Sequence, residues 1–292
     1  MHILLTGADG FTGRHFAEAA QNAGHQITAL TANLTDKAAV AQQVCQTQPD
    51  AVVHLAAISF VGSADEAAFY AVNVVGTMNL LRALAVLARP PAKVLVASSA
   101  NIYGNCDSSP ITEDQTPAPV NHYAASKLAM EHMALTLADQ LPIVITRPFN
   151  YTGAGQGGQF LIPKLVDHFT RKAPTIELGN LHVEREFNDV RMVCEDYLAL
   201  LAYGQSGQTY NICTGTTYTL QQVIDTLSQL TGHQIQVRVN PAFVRASEVH
   251  RLCGSSNQLQ RLLAGKGITR TQPALAQTLQ NMLSAAQAKV LC

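Results

Sequence analysis

The chain contains no tryptophan and is poor in charge: Asp, Glu, Lys and Arg make up only 13% of its 292 residues, and the formal net charge is -1. No basic run breaks that balance, which excludes a nucleic-acid-binding surface. No apolar run is long enough to span a bilayer, and Met1 leads at once into a strand pattern. Neither a membrane anchor nor a cleavable leader is therefore expected, and the expected compartment is the cytoplasm. Cys45, Cys106, Cys194, Cys213, Cys253 and Cys292 are scattered without CxxC spacing, and the ten histidines form no HExxH. No metal site is expected, and the cysteines read as thiols in a reducing compartment. There is no internal repeat. What the chain has instead is apolar bulk: 47% hydrophobic residues, enough for one large or two modest globular domains.

The order of that bulk is informative. His2-Ile-Leu-Leu-Thr6 is a short apolar strand, Gly7-Ala-Asp-Gly10-Phe11-Thr12-Gly13 follows directly, and Arg14 to Gly24 reads as a helix closed by glycine. A strand, a glycine turn and a helix N-terminus together form the arrangement that receives a dinucleotide pyrophosphate. Gly7 makes the tight turn, Gly10 admits phosphate to the backbone, and Gly13 lets helix and strand approach. The second strand, Gln26 to Thr31, lacks the acid that usually grips the adenosine ribose, and no arginine follows it, so the choice between NADP and NAD stays open. Asn33-Leu34-Thr-Asp36 reads as the turn flanking the adenine.

Further along, Pro49 to Ala57 is a strand entering a small-residue loop, Leu55-Ala56-Ala57, where bulk would collide with the cofactor. His54 at the strand end reads equally as a polar contact or as a structural group. Ala64 to Leu87, with Asn73, reads as one long amphipathic helix. Lys93 to Ser99 is the next strand, with Ser99 at its carboxyl end, where open α/β sheets place their ligands. Pro142 to Asn150 is another, followed by a glycine-rich crossing at Gly153 to Gly158. Beyond it, Phe160 to Arg171, Asn188 to Tyr203, Leu220 to Leu230 and Pro273 to Lys289 read as helices, and Thr175 to Leu178, a segment within Gly179 to Phe187, and Gln208 to Cys213 as strands.

The stretch with the most chemistry is Tyr123-Ala-Ala-Ser-Lys127, introduced by Asn121 as a helix cap. Four residues apart on a helix, the phenol and the ammonium share a face. A neighbouring ammonium favours the phenolate, so the expectation is a lowered tyrosine pKa and a proton donor or acceptor at a carbonyl or hydroxyl.

Gly7, Gly10, Gly13, Ser99, Tyr123-x-x-x-Lys127 and Arg147-Pro-Phe-Asn150 occur in the order found in the extended short-chain dehydrogenase/reductases, the NAD-dependent epimerase/dehydratase family, which the chain resembles over essentially its whole length. Within that family it looks most like the GDP-4-dehydro-6-deoxy-D-mannose reductases. That likeness rests on Thr6 to His15, His54 to Gly62, Arg147 to Gln156, Gly179 to Arg191 and Tyr210 to Gly215. The sequence departs from them at Arg245-Ala-Ser-Glu248, which lacks a proline and has Glu for Asp, at Val190-Arg-Met192, and in the missing tryptophan. These departures bear on sugar or base specificity more than on reaction type. The related dehydratases carry acids just after the serine, because elimination needs an extra acid and base; Ala100 and Asn101 stand there and transfer no proton.

The resemblance implies an α/β fold: a Rossmann-type doubly wound parallel sheet with a smaller, discontinuous C-terminal α/β substrate domain. Residues 1–152 plus about 188–216 would bind NAD(P), and about 153–187 plus 217–292 a nucleotide sugar. It implies NAD(P)H-dependent reduction of the C4 ketone of a nucleotide-linked 4-keto-6-deoxyhexose, GDP-linked before dTDP- or UDP-linked, giving GDP-D-rhamnose. The alternatives are an NAD-retaining 4-epimerase and, more remotely, a non-catalytic dinucleotide sensor. Ser99, Tyr123 and Lys127 would be catalytic. Gly7, Gly10, Phe11, Thr12, Gly13, Asn33, Leu34, Leu55, Ala56, Ala57, Asn73, Tyr123 and Lys127 would meet the cofactor. Ser99, Ala100, Asn150, Asn180, Arg185, Arg245 and Glu248 would meet the substrate. A homodimer through the Ala64–Leu87 and Tyr123–Asp139 helices is also implied.

Overall fold

The computed structural model describes residues 1–59, 65–106, 108–179, 181, 183–243 and 250–291. The amino-terminal pattern folds as strand, turn and helix: β1 (His2–Thr6), α1 (Phe11–Asn22) and β2 (Gln26–Leu30). A helix unread in the sequence, α2 (Lys37–Thr47), follows, capped by the Asp36 carboxylate, which accepts from the Ala38 and Ala39 amides. After β3 (Ala51–His54), the expected single long helix is instead three pieces in one run. These are α3 (Glu66–Tyr70), a π-helical segment (Ala71–Gly76) and α4 (Thr77–Ala85).

By length and mean hydropathy, 1.2 over an 18-residue window, this run from Glu66 to Ala85 could cross a bilayer, although no uninterrupted apolar stretch reveals it in the sequence. It is packed against α2 and α5, and 56% of that window is buried inside the molecule. Helices of a protein core pass the same test, and here the burial accounts for the apolarity.

β4 (Lys93–Ala97), α5 (His122–Leu135), β5 (Ile143–Pro148) and the short β6 (Tyr151–Thr152) complete the first half. Then come α6 (Leu161–Thr170), β7 (Thr175–Leu178), β8 (Glu184–Arg185), β9 (Asn188–Asp189), α7 (Val190–Tyr203) and β10 (Thr209–Ile212). The chain ends with β11 (Tyr218–Thr219), α8 (Leu220–Thr231), β12 (Gln236–Val239), β13 (Arg251–Leu252), α9 (Asn257–Ala264) and α10 (Leu275–Leu291).

Six strands form one parallel sheet in the order β10-β5-β4-β3-β1-β2. Their near-continuous apolar sequences follow from burial on both faces. On one face Ile3, Leu5, Val53 and Leu95 pack with Phe16 of α1 and Val193, Tyr197 and Leu200 of α7. On the other, Leu4, Val52, Val94 and Ile145 pack with Val40 of α2, Leu80 and Leu84 of α4, and Met130 of α5. This is the Rossmann-like architecture expected. A separate core joins α6, α8 and α10 with β7 and β12, through Leu165, Phe169, Ile176, Val223, Leu227 and Leu279. The sheet order reverses beside β1, so the carboxyl ends of β1, β3 and β4 open on one crevice.

Candidate active site

The floor of that crevice is the turn between β1 and α1. Gly7 has φ +70°, a left-handed conformation that disfavours any side chain. A Cβ at Gly13 would overlap the Gly7 carbonyl oxygen and stand 2.8 Å from Ala8 Cα, so α1 approaches the turn as closely as it does only with glycine there. Gly10 caps α1 with no side chain, and no acidic residue occupies the first turn. The first amides of α1 thus lack an internal anion, and their dipoles make the helix start a seat for phosphate oxygens. The Thr12 and Tyr151 hydroxyls lie 2.7 Å apart, and the Phe11 and Tyr151 rings stack at 6.1 Å between centroids.

The walls come from the ends of β3, β4 and β5 and from α5. Asn121 caps α5 as its sequence predicts, accepting from the Ala124 amide at 2.9 Å. Tyr123 and Lys127 follow on one face and are both buried. The helix is pinned one turn later: Glu131 receives a two-pronged ion pair from Arg147 of β5, with Nη2 to Oε2 at 2.7 Å, and Arg147 also donates to the Tyr103 hydroxyl. All three groups are buried, and the pairing satisfies charges that would otherwise be costly there. The arginine of the Arg-Pro-Phe-Asn motif therefore supports the helix and not a ligand.

Lys127 Nζ donates to the Ala97 carbonyl at 2.6 Å, with the Met130 sulfur at 3.5 Å. Burial pushes its pKa down to about 8, against the opposing pull of Glu131. The Tyr123 phenol behaves contrary to the sequence expectation. Burial raises its pKa above the ordinary value, and hydrogen bonding with Ser99 works in the other direction. No lowering by Lys127 offsets this; its ammonium donates to the last carbonyl of β4. Ser99 lies two residues past Ala97, accepts from the Asn101 amide and side chain at 3.2 Å each, and starts the 3₁₀ turn Ala100–Tyr103.

These groups surround a cleft of about 610 Å³. Of the residues picked from sequence, Gly7, Gly10, Phe11, Thr12, Gly13, Leu55, Ala56, Ala57, Ser99, Ala100, Tyr123, Lys127 and Asn150 line it. Asn33 lies outside the lining and receives the Thr35 amide and hydroxyl; Leu34 also lies outside, buried with its carbonyl taking the Asn79 amide. Asn73 sits behind the wall, bonded to both backbone groups of Ile58, and Arg185 belongs to β8, donating to the Glu184 and His250 carbonyls. Asn180, Arg245 and Glu248 lie outside the described residues. His54 proves structural: it is buried, with a hydroxyl on each ring nitrogen, and its pKa falls to about 3.

The cleft also contains residues the sequence reading gave no role: Arg14, Ser98, Tyr151, Gln156, Gln159 and Tyr197. Tyr151 adjoins Asn150 within a motif already singled out, so a signal existed. Tyr197 projects from the apolar face of α7, and only tertiary packing brings it here.

A family model described as GDP-mannose 4,6 dehydratase matches residues 18–266. The GDP-6-deoxy-D-talose 4-dehydrogenase of Aggregatibacter actinomycetemcomitans is 37% identical, the match covering 90% of this chain and 91% of the relative. The GDP-6-deoxy-D-mannose reductase of Pseudomonas aeruginosa is 33% identical, over 88% and 89%. The solved structure of RMD from Pseudomonas aeruginosa complexed with NADPH superposes with a TM-score of 0.90, at 30% identity over 99% of both chains. The chain belongs to the GDP-mannose 4,6-dehydratase family, within the epimerase/dehydratase branch of the short-chain dehydrogenase/reductases, and its class, NAD(P)-dependent oxidoreductase, follows from that membership.

Proposed function

We propose that this protein reduces the C4 ketone of GDP-4-dehydro-6-deoxy-D-mannose with NADPH or NADH, giving GDP-D-rhamnose. The observation that carries the proposal is the grouping of Ser99, Tyr123 and Lys127 along one cleft whose floor is the uncapped start of α1. Ala100 and Asn101 stand where a dehydratase needs an acid and a base. A single reduction needs only a hydride, a proton and a clamp on the ketone oxygen.

In this reading the cofactor's nicotinamide supplies the hydride. Gly7, Gly10, Phe11, Thr12 and Gly13 hold the pyrophosphate, with Asn33 and Leu34 towards the adenine, and Leu55, Ala56 and Ala57 leave room beside it. Ser99 donates its hydroxyl hydrogen to the C4 oxygen, polarising the carbonyl as a fixed donor. Tyr123 gives its proton to the oxygen as negative charge builds there. The phenol holds its proton at working pH, as a donor must, although its raised pKa makes it a weaker acid than a free phenol. Lys127 holds the nicotinamide ribose. Asn150 meets the sugar diphosphate, and Arg185, with Asn180, Arg245 and Glu248, serves the nucleotide end. Tyr70, Val75 and Met133, exposed on the 66–85 run and α5, support a homodimer through those helices.

A second reading is favoured by the 37% identity to a talose dehydrogenase: the same ketone presented by its other face, giving GDP-6-deoxy-D-talose. The test mixes purified protein, either reduced cofactor and the ketosugar, follows nicotinamide absorbance, and reads the C4 configuration from proton couplings. One cofactor oxidised per ketone with GDP-D-rhamnose formed is the expected result. The talose product would transfer the assignment to the second reading. An absence of oxidation with either cofactor, together with tightly retained NAD, would overturn the reductase in favour of an epimerase.

A further inference from the structure

Behind the cleft wall runs a line of hydrogen bonds that the mechanism above does not use. Thr6, His54, Asn73, Thr77 and Ser126 are each 0–1% exposed, yet every one is polar and partnered. The Thr6 hydroxyl accepts from the Leu55 and Ala56 amides at 3.1 and 3.0 Å and lies 2.7 Å from His54 Nδ1. The Thr77 hydroxyl donates to the Asn73 carbonyl at 2.6 Å and lies 2.8 Å from His54 Nε2.

A hydroxyl has one hydrogen and two lone pairs. With both lone pairs of Thr6 taken by amides, its hydrogen goes to Nδ1. With the Thr77 hydrogen spent on Asn73, that hydroxyl takes the hydrogen of Nε2. The ring is therefore fixed as the neutral Nε2–H tautomer. From there the Asn73 side chain clamps both backbone groups of Ile58 and donates to Ser126 Oγ at 3.0 Å, and Ser126 donates to the Tyr123 carbonyl at 2.8 Å. From the Leu55 and Ala56 amides the donors run through Thr6, His54 and Thr77 to the Asn73 carbonyl, and from the Asn73 side chain, which also donates back to Ile58, through Ser126 to the backbone of the proton donor. Asn73 lies in the π-helical segment, and its carbonyl takes the Thr77 hydroxyl from the following turn.

We propose that His54 and Thr77 are positioning residues that register Tyr123 against the loop 55–58, so that the phenol is placed by the same network that seats the cofactor's neighbours. This inference rests on the reductase reading for its kinetic consequence, though not for its geometry. The first variant is Thr77→Val, which keeps the shape and removes the hydroxyl; Thr77→Ser restores it, and Ser126→Ala cuts the last link with a smaller deletion.

The expected result for Thr77→Val and Ser126→Ala is a loss in kcat of about ten- to a hundredfold, the scale of a small misplacement. KM for both substrates should stay unchanged, and Thr77→Ser should return to wild-type kcat. Ring-nitrogen NMR of wild-type protein labelled in histidine should show His54 with a bare Nδ1 and a protonated Nε2. A lowered melting temperature with kcat intact would overturn the proposal, as would a serine variant no better than valine. Should Thr77→Val not fold, Ser126→Ala decides the kinetic part. A wild type that oxidises no cofactor would count against the reductase reading alone; the NMR result still judges the network, and an Nδ1–H or charged His54 would overturn it.

Discussion

Replacing Tyr123 with phenylalanine is expected to lower kcat by about 10²–10⁴, the range set by a positioned general acid. Phenylalanine keeps the ring, the burial and the contact with Phe69, so α5 retains its packing. What disappears is one hydroxyl, the one hydrogen-bonded with Ser99. Cofactor binding should persist with KM for NAD(P)H near wild type, because the glycine turn and Lys127 are untouched. Intrinsic cofactor fluorescence on titration separates binding from turnover. A mutant with more than a tenth of wild-type kcat would move proton transfer to another group, with Ser99 the next to test.

The second large effect is structural. Gly13→Ala would drive a methyl into the Gly7 carbonyl and against Ala8, both backbone, so no side-chain rotation relieves the clash. Overpacking of this kind costs about 1–3 kcal/mol, and with backbone atoms in the way the upper end applies, a fall of roughly 10 °C in melting temperature for a chain of this size. The α1 helix would be displaced, and affinity for the dinucleotide would fall with it. Gly10→Ala is the informative comparison. Its methyl would meet only the Gly7 oxygen, at 3.1 Å, and otherwise open space in the cleft. Stability should then remain close to wild type while cofactor affinity drops. Calorimetry with and without NADPH checks both; equal melting temperatures for Gly13→Ala and wild type would contradict the close-approach argument.

What was legible in the sequence was what local rules determine. A glycine trio after a strand, an asparagine before a helix, and a tyrosine and lysine four apart each fix geometry within a few residues, and all were read correctly as elements. The errors have tertiary causes. The π segment at 71–76 carries Asn73, which holds Ile58 15 residues away, a tertiary contact the helical spacing does not reveal. The phenol pKa is raised because burial, set by tertiary packing, outweighs the local effects on it. His54 could not be assigned between ligand and support until Thr6 and Thr77 were seen on its two nitrogens. Helix α2 was missed although its cap, Asp36, was noted, since its apolar stripe is only Val40 and Val44.

In the proposed reaction one hydride passes from the nicotinamide to C4 of the sugar, with Tyr123 completing the alcohol. The most direct measurement is to supply cofactor deuterated at the transferring position with GDP-4-dehydro-6-deoxy-D-mannose and locate the label by NMR. Deuterium is expected at C4 of the product and none at C5 or C6, with equimolar oxidised cofactor released. Label at C6, or label returned to the retained cofactor with no net oxidation, would contradict it.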